Sequence, residues 1–373
     1  MKRKIRMGMV GGGPGAFIGN VHRMASRLDG LIDLVCGAFD VDPEKSKAMG
    51  RSLFLPESRC YATYDEMFEA EMKLPEGERM DFVSITTPNH LHAPIALKAL
   101  KCGFHVVCEK PMTLTVEDAE ALAAEVEKTG LIFCLTHNYT AYPMSRVAKR
   151  MVRNGDLGEI RRIMVEYPQG WLADVVKPDN MQGSWRTNPK TSGVSCCMGD
   201  IGSHSENLAE FISGLKITEL CANIKSFVPG RTLDDDGDVL LKFDNGAIGS
   251  LTASQIAVGE ENALKIRIYG TKAAIEWNQQ DAETLIVKYN DRPMQVMRRN
   301  WAGIGAEWSR VPAGHPEGFL EAFGNIYRDL AMAINARLEG VPYESEFPTV
   351  HDGLRGVRFI HAVVASKGNW VKL

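Results

Sequence analysis

The sequence predicts an α/β protein in two domains. The first is a parallel sheet flanked by helices; the second is an α/β domain with a large open, mostly antiparallel sheet. Three observations predict this. The chain has 373 residues, about twice the ~150 of a common domain. Up to about residue 140, short β-rich apolar runs alternate with stretches of helical spacing, as βαβ units require. Beyond about residue 160, strand candidates follow one another directly. The change of pattern divides the chain into domains 1–140 and 141–373, with no flexible linker between them.

In order, the first strands are expected over 5–10, 31–39, 82–86, 105–109 and 132–137. They are continuously apolar, which suits strands covered on both faces. Helical spacing fills 93–100 and 116–126, the latter opened by Thr115 and Asp118 in a capping-box arrangement. In the second part, strands are expected over 161–169, 218–227, 238–243, 247–256, 264–269, 273–277 and 284–289. Asp244-Asn245-Gly246 and Gly270-Thr271-Lys272 are hairpin turn signals. Long helices over about 316–338 and 350–366 close the chain.

Composition narrows the function classes. Apolar residues make up 45% and charged residues 24%, which excludes a disordered or fibrous chain. With 43 basic and 47 acidic residues the net charge is −4. No basic excess exists to neutralise a phosphate backbone, so no nucleic-acid partner is expected. The eight cysteines form no C-x-x-C pair, so no metal site is expected and a reduced, cytoplasmic setting fits. No run approaches the ~20 apolar residues of a membrane span. The basic start Lys2-Arg3-Lys4 precedes only a short apolar run that ends in glycines, unlike a signal peptide.

The first strand runs into Gly11-Gly12-Gly13-Pro14-Gly15-Ala16-Phe17-Ile18-Gly19 and then a helix. Glycines let a backbone approach a pyrophosphate, and a helix N-terminus offers free N–H groups and a positive dipole. Gly11-x-Gly13-x-x-Ala16 fits the G-x-G-x-x-A form of this loop, with about three residues inserted before Gly19. Gly11, Gly13, Gly15, Ala16, Phe17 and Ile18 are therefore candidate contacts of a dinucleotide; a glycine-rich turn without a ligand is the competing reading. Asp40 ends the second strand, where an acid accepts from ribose hydroxyls and repels a 2′-phosphate, favouring NAD over NADP. Helix capping competes for Asp40, although Asp42 before Pro43 suits that task better.

The third strand leads into Thr86-Thr87-Pro88-Asn89-His90-Leu91-His92 and the fourth into Glu109-Lys110-Pro111. Both endings fall at the carboxyl edge of a parallel sheet, where ligands bind. A proline restrains the residue before it, so the Lys110 backbone is held; Pro111 is a candidate cis proline. Desolvation beside a positive ring would favour the neutral amine that a proton relay needs. A surface lysine paired with Glu109 is the plain alternative.

Glycine loop, T-P-N-x-x-H and E-K-P together resemble the Gfo/Idh/MocA oxidoreductases (glucose–fructose oxidoreductase, inositol dehydrogenase and relatives), over essentially the whole chain. The resemblance implies an N-terminal Rossmann dinucleotide-binding domain, a C-terminal substrate-binding and oligomerisation domain, and Lys110 as a catalytic and substrate-binding residue. It adds Thr87, Pro88, Asn89, His92, Glu109 and Lys110 to the residues expected around NAD. The family's second landmark, D-x-G-x-H after a glycine, is matched by Gly199-Asp200-Ile201-Gly202-Ser203-His204. Four residues apart, Asp200 and His204 share a helix face, and a carboxylate beside an imidazole makes an acid/base pair. By resemblance, His204 is the general acid/base and Asp200 a substrate or orienting ligand. A helix cap and a core histidine remain the plain alternative. Cys196-Cys197 replace the usual small residues, and Asn207 stands where an acid is often found.

Other signals are weaker. Trp171 offers a platform for a sugar ring; Trp185 and Arg186 suit a sugar or the nicotinamide end of the cofactor. His137-Asn138-Tyr139 follows strand five, with Asn138 a candidate cofactor contact and capping an equal alternative. The Asp234–Asp238 run lacks the EF-hand pattern and is read as a solvated turn. Together these features predict an NAD(H)-dependent dehydrogenase acting on a secondary alcohol of a sugar, inositol or glycoside, as a homodimer or homotetramer. An NAD-dependent glycoside-cleaving enzyme, working by transient oxidation and elimination, and a non-catalytic dinucleotide or sugar sensor stay open.

Overall fold

The computed structural model describes residues 2–177 and 179–373. In chain order its first elements are β1 (Ile5–Gly11), α1 (Phe17–Arg27), β2 (Ile32–Ala38), α2 (Pro43–Ser52), α3 (Tyr64–Met72), β3 (Phe82–Thr86), α4 (His92–Lys101), β4 (His105–Cys108), α5 (Val116–Thr129) and β5 (Phe133–Leu135). Then come α6 (Pro143–Arg153), β6 (Ile160–Pro168), α7 (Met181–Arg186), α8 (Pro189–Ser192), α9 (Ser203–Ser213), β7 (Ile217–Lys225), β8 (Asp236–Phe243) and β9 (Ile248–Ser254). The last are β10 (Lys265–Gly270), β11 (Ala274–Asn278), β12 (Thr284–Lys288), β13 (Gln295–Arg298), α10 (Phe319–Glu339), α11 (Val350–Ser366) and β14 (Trp370–Lys372). This is the α/β class that the sequence predicts, a Rossmann-type parallel sheet followed by a large, mostly antiparallel one.

The chain forms two compact units. The first contains a parallel sheet in the order β2-β1-β3-β4-β5. The strand order reverses between β1 and β3, so the connections leaving the carboxyl ends of those strands run to opposite sides and frame a crevice. The strands are buried on both faces; every residue of β3, β4 and β5 is buried. Thr115 caps α5 by accepting from the Asp118 N–H, and Gly130 closes that helix in the left-handed region at φ 61°.

Residues 323–354 also belong to this first unit, which the division at residue 140 does not anticipate. The reason is buried polar contact. The Tyr327 hydroxyl lies 2.6 Å from His22 Nδ1 and 2.9 Å from Ser84 Oγ, and Leu135 N–H donates to the Pro348 carbonyl. Apolar spacing predicts the helix but does not say which sheet receives it.

The second unit, residues 137–322 and 355–373, is built on a nine-stranded sheet in the order β13-β12-β11-β10-β6-β9-β8-β7-β14. Only the β6–β9 pair is parallel. One face carries Val165, Leu251, Val239, Leu241, Ile266, Ile275, Trp277 and Leu285, all buried in a core shared with α6 and α9. On the other, a cross-strand row runs Val296, Ile286, Glu276, Arg267, Met164, Ser250, Leu240, Cys221, Trp370. Leu240, Val296 and Trp370 in that row are exposed.

The aspartate run is not a solvated turn. Asp234 and Asp235 are buried. Asp234 accepts from the Cys196 and Met198 N–H groups, and Asp235 from the Phe227 and Val228 N–H groups and from Arg231. Each carboxylate has enough donors to be buried without a metal. Among the described residues no His/Cys/Asp/Glu group is arranged to hold a metal ion, and no helix is long and apolar enough to cross a membrane.

One backbone contact fixes the first turn of the first unit. A Cβ at Gly19 in α1 would stand 2.3 Å from Gly12 Cα, so the helix passes the β1 loop at a distance only glycine permits. The glycine at the helix–strand contact is thus Gly19, while Ala16 sits at the N-cap of α1. Backbone cannot yield as a flexible side chain does, and overpacking costs about 1–3 kcal/mol. Gly19→Ala is expected to lower stability by at least that amount, read as a fall in the urea midpoint at unchanged slope.

Candidate active site

The glycine loop turns through left-handed backbone at Gly11 (φ 85°), Gly12 (φ 72°) and Gly15 (φ 78°). A Cβ at Gly13 would meet the Phe39 carbonyl at 2.7 Å and Asp40 Oδ2 at 3.0 Å, so the loop backbone passes directly beside the acid. Asp40 Oδ1 accepts from the Asp42 N–H, whereas Asp42 itself caps α2 through the Glu44 and Lys45 N–H groups. The N-terminus of α1 has no side-chain cap and no acid in its first turn. Its leading residue Phe17 is exposed, followed by half-buried Ile18. Uncapped N–H groups at a glycine turn are an anion cradle. From below, the buried Arg23 guanidinium donates to the Gly12 carbonyl at 2.8 Å.

At the ends of β3 and β4, Thr86 pairs with Gly11, and Thr87 follows. Pro88 introduces the short turn Asn89–Leu91, and Asn89 is buried. The Thr87 hydroxyl is buried with no hydrogen-bond partner among the described residues. His92 is fully buried, its Nε2 2.9 Å from the Thr87 carbonyl and its Nδ1 2.9 Å from the Pro111 carbonyl. Carbonyls only accept, and burial holds this imidazole below its usual pKa against the pull of the two carbonyls. The neutral ring has one N–H and donates to one of these two carbonyls. It faces the protein interior rather than a ligand. The Lys110–Pro111 bond is cis.

Glu109 also turns inward. Its Oε1 receives His22 Nε2 (2.8 Å) and Thr136 Oγ1 (2.5 Å), and its Oε2 the Lys110 N–H (3.2 Å). Burial alone would raise this carboxyl. The His22 and Thr136 hydrogen bonds and the Lys110 charge outweigh burial and hold it below the usual carboxylate range. The ionised carboxylate only accepts, so His22 Nε2 carries a proton.

The second unit gathers a separate cluster. A π-turn, Met198–Gly202, presents Asp200, and the first turn of α9 presents His204. Asp200 Oδ2 accepts from Arg186 Nε at 3.1 Å and Gln255 Nε2 at 2.9 Å. The Arg186 guanidinium stacks 4.2 Å from the Trp185 ring centre and 5.7 Å from that of Trp171. Trp171 is 42% exposed. His204, 7% exposed, packs edge-on against Tyr139 at 4.8 Å and has its Nδ1 3.2 Å from His137 Nδ1. Asn207 and Asn138 are buried; the Asn207 Oδ1 and Asn138 Nδ2 atoms find no hydrogen-bond partner among the described residues. Cys196 and Cys197 are fully buried, and burial with nearby carboxylates pushes both thiols up; the Cys196 thiol donates to Gln255 Oε1 at 3.3 Å.

Sequence reasoning missed His22, Tyr327 and Ser84 beneath Lys110, and Gln255 beside Asp200. A buried histidine is visible in sequence only as a histidine on an apolar helix face, and His22 is on such a face of α1.

The donor set fits a dinucleotide. The uncapped α1 terminus and bare Gly13 backbone suit a pyrophosphate, Asp40 a ribose, and the orphaned Thr87 Oγ1 is a buried group awaiting a partner.

Comparison with known proteins agrees. Residues 5–137 match the model of an oxidoreductase family with an NAD-binding Rossmann fold, and residues 145–276 that of the GFO/IDH/MocA C-terminal domain. The uncharacterised oxidoreductase YfiI of Bacillus subtilis (strain 168) is 34% identical over 100% of this chain and 98% of its own. Levoglucosan dehydrogenase of Pseudarthrobacter phenanthrenivorans is 27% identical over 77% of each chain. An inositol dehydrogenase homologue from Azotobacter vinelandii, solved with NAD+, superposes with a TM-score of 0.95 at 34% identity over 100% and 98% of the two chains. The same homologue solved with NADH and myo-inositol gives 0.92. The chain therefore belongs to the Gfo/Idh/MocA family of oxidoreductases, and its first domain is that family's NAD-binding Rossmann fold.

Proposed function

We propose that this protein is an NAD(H)-dependent dehydrogenase of a secondary alcohol carbon in a cyclic polyol: an inositol, a sugar or a glycoside. The observation that carries the reading is the cluster in which Arg186 and Gln255 hold the Asp200 carboxylate beside two tryptophan faces. A fixed carboxylate accepts from hydroxyls, a guanidinium donates to them, and an aromatic face covers the C–H side of a ring. Support also comes from the relatives: one is named for levoglucosan, and another was solved with NADH and myo-inositol.

Gly11, Gly13, Gly15 and the α1 terminus would hold the cofactor's pyrophosphate, Asp40 its adenine ribose, and Thr87 and Asn138 further polar edges. A nicotinamide bound there would supply the hydride acceptor for the carbinol carbon, and the hydride donor in the reverse direction. His204 removes the hydroxyl proton as the carbonyl forms. By its place in the E-K-P element, Lys110 is the residue proposed to stabilise the charge that builds on the substrate oxygen. Its main chain is held by Glu109 on one side and Pro111 on the other. Proton transfer by a placed side chain contributes about 10²–10⁴-fold. In solution, the exposed apolar residues of the nine-stranded sheet's outer row support self-association as a dimer or tetramer.

The reading is tested by incubating cyclic polyols and glycosides with NAD+ and following reduced-cofactor absorbance. Stoichiometric NADH is expected; aglycone release without NADH would replace this reading with glycoside cleavage. Lys110→Ala and His204→Ala should each lose at least about 10²-fold in kcat while binding NADH as the parent does. Near-normal rates in both would remove these residues from the chemistry. Asp40→Ala should reduce the preference for NAD+ over NADP+ by about tenfold, a change of ~1.4 kcal/mol. An unchanged ratio of kcat/KM values would place cofactor selection elsewhere.

A further inference from the structure

His137 is not needed to build the second unit's sheet, yet it is 2% exposed and meets His204 through ring nitrogens. The contact is Nδ1 to Nδ1 at 3.2 Å, with the rings nearly perpendicular at 85°. Tyr139 stands edge-on to His204 from the same short segment that follows β5.

The chemistry of that contact is restrictive. Two nitrogens at hydrogen-bond distance share one proton: one must donate and the other accept. If His137 donates, neutral His204 carries its proton on Nε2 and has no lone pair there. If His204 donates, its lone pair lies on Nε2 and His137 Nδ1 is the acceptor. Only the second arrangement lets neutral His204 act as a base through Nε2.

We propose that His137 is the positioning residue for His204: its Nδ1 accepts the His204 Nδ1–H, fixes the tautomer with the lone pair on Nε2, and stabilises the imidazolium that forms. This rests on His204 being the base of the proposed reaction. The step balances within one ring. The substrate O–H bond breaks, its proton joins His204 Nε2, and the Nδ1–H stays in place, now donated by a cation. A charged donor makes the stronger hydrogen bond, so the contact tightens as the alcohol is deprotonated. The pair takes up one proton, because two imidazolium rings would set N–H against N–H. In this role an imidazole stands where a carboxylate orients the histidine of a hydrolytic triad.

The decisive measurement needs no substrate. In protein labelled with 15N-histidine, the His204 signals are assigned by their loss in His204→Ala. They should report a neutral ring protonated on Nδ1; a ring protonated on Nε2 overturns the proposal. Kinetics with NAD+ and either myo-inositol or levoglucosan give a second readout. His137→Ala should lower kcat by about 10²-fold with KM changed less than about threefold. His137→Asn, whose Oδ1 can take the place of Nδ1 as acceptor, should recover to within about tenfold of the parent. Equal loss in both variants, or none in His137→Ala, overturns the positioning role. Full turnover in His204→Ala would instead overturn the base assignment, so the two failures are separable.

Discussion

A single buried carboxylate organises the carboxyl edge of the first sheet. Glu109 receives a ring N–H from α1, a hydroxyl from the segment after β5 and the main-chain N–H of Lys110. Burying an ion costs several kcal/mol unless its lone pairs are met, and here three donors from three segments meet them. The requirement propagates. His22 can donate to Glu109 only with its ring fixed, and the Tyr327 hydroxyl of α10 fixes the far side of that ring. One charge thus recruits a helix from the distant end of the chain into the first unit. Lys110 inherits a main chain that is held from beneath by its N–H on Glu109.

The second unit solves the same problem with aspartates. Asp234 gathers the N–H groups of Cys196 and Met198, which begin the turn that carries Asp200. Asp235 gathers the next loop and the buried Arg231, whose guanidinium also donates to the Leu172 and Asp174 carbonyls. Consecutive carboxylates therefore brace two segments: Asp234 the start of the turn that carries Asp200, and Asp235 the loop of residues 227–231. Asp200 is held by two side chains, Arg186 and Gln255, whereas Asp234 and Asp235 are met mainly by backbone N–H groups and are structural.

Strands buried on both faces are legible because burial forces unbroken apolar runs, so β1, β3 and β4 are where the sequence puts them. The glycine loop is legible because few residues tolerate φ near 80°, a demand Gly11 and Gly15 satisfy. Partner choice is not legible. Residues 323–354 carry helical spacing that would suit either sheet, and a tyrosine hydroxyl decides. His92 reads as a ligand beside T-P-N, whereas its ring is spent between two carbonyls. The aspartate run reads as solvated because charge normally is; only the count of converging N–H groups reveals otherwise. Gly19 and Ala16 exchange roles for a similar reason, since the inserted residues move the helix contact three positions along.

These cases share a rule that bears on selectivity. Gln255 has two possible amide orientations, and the Cys196 thiol, a donor, lies 3.3 Å from its Oε1. That contact spends the carbonyl end and directs Nε2 to Asp200, so a cysteine where the family usually has a smaller residue sets the orientation of an amide on Asp200. Asn207, one turn beyond His204, brings a buried Oδ1 that no described residue satisfies. An acid there could only accept; the amide both accepts and donates, and it adds no charge beside the imidazole. The departures from the family pattern thus fall at Cys196, which orients the amide on Asp200, and at Asn207, one turn beyond His204. On the proposed roles, hydroxyl recognition can change through Cys196, Gln255 and Asn207 while His137 and His204 are kept.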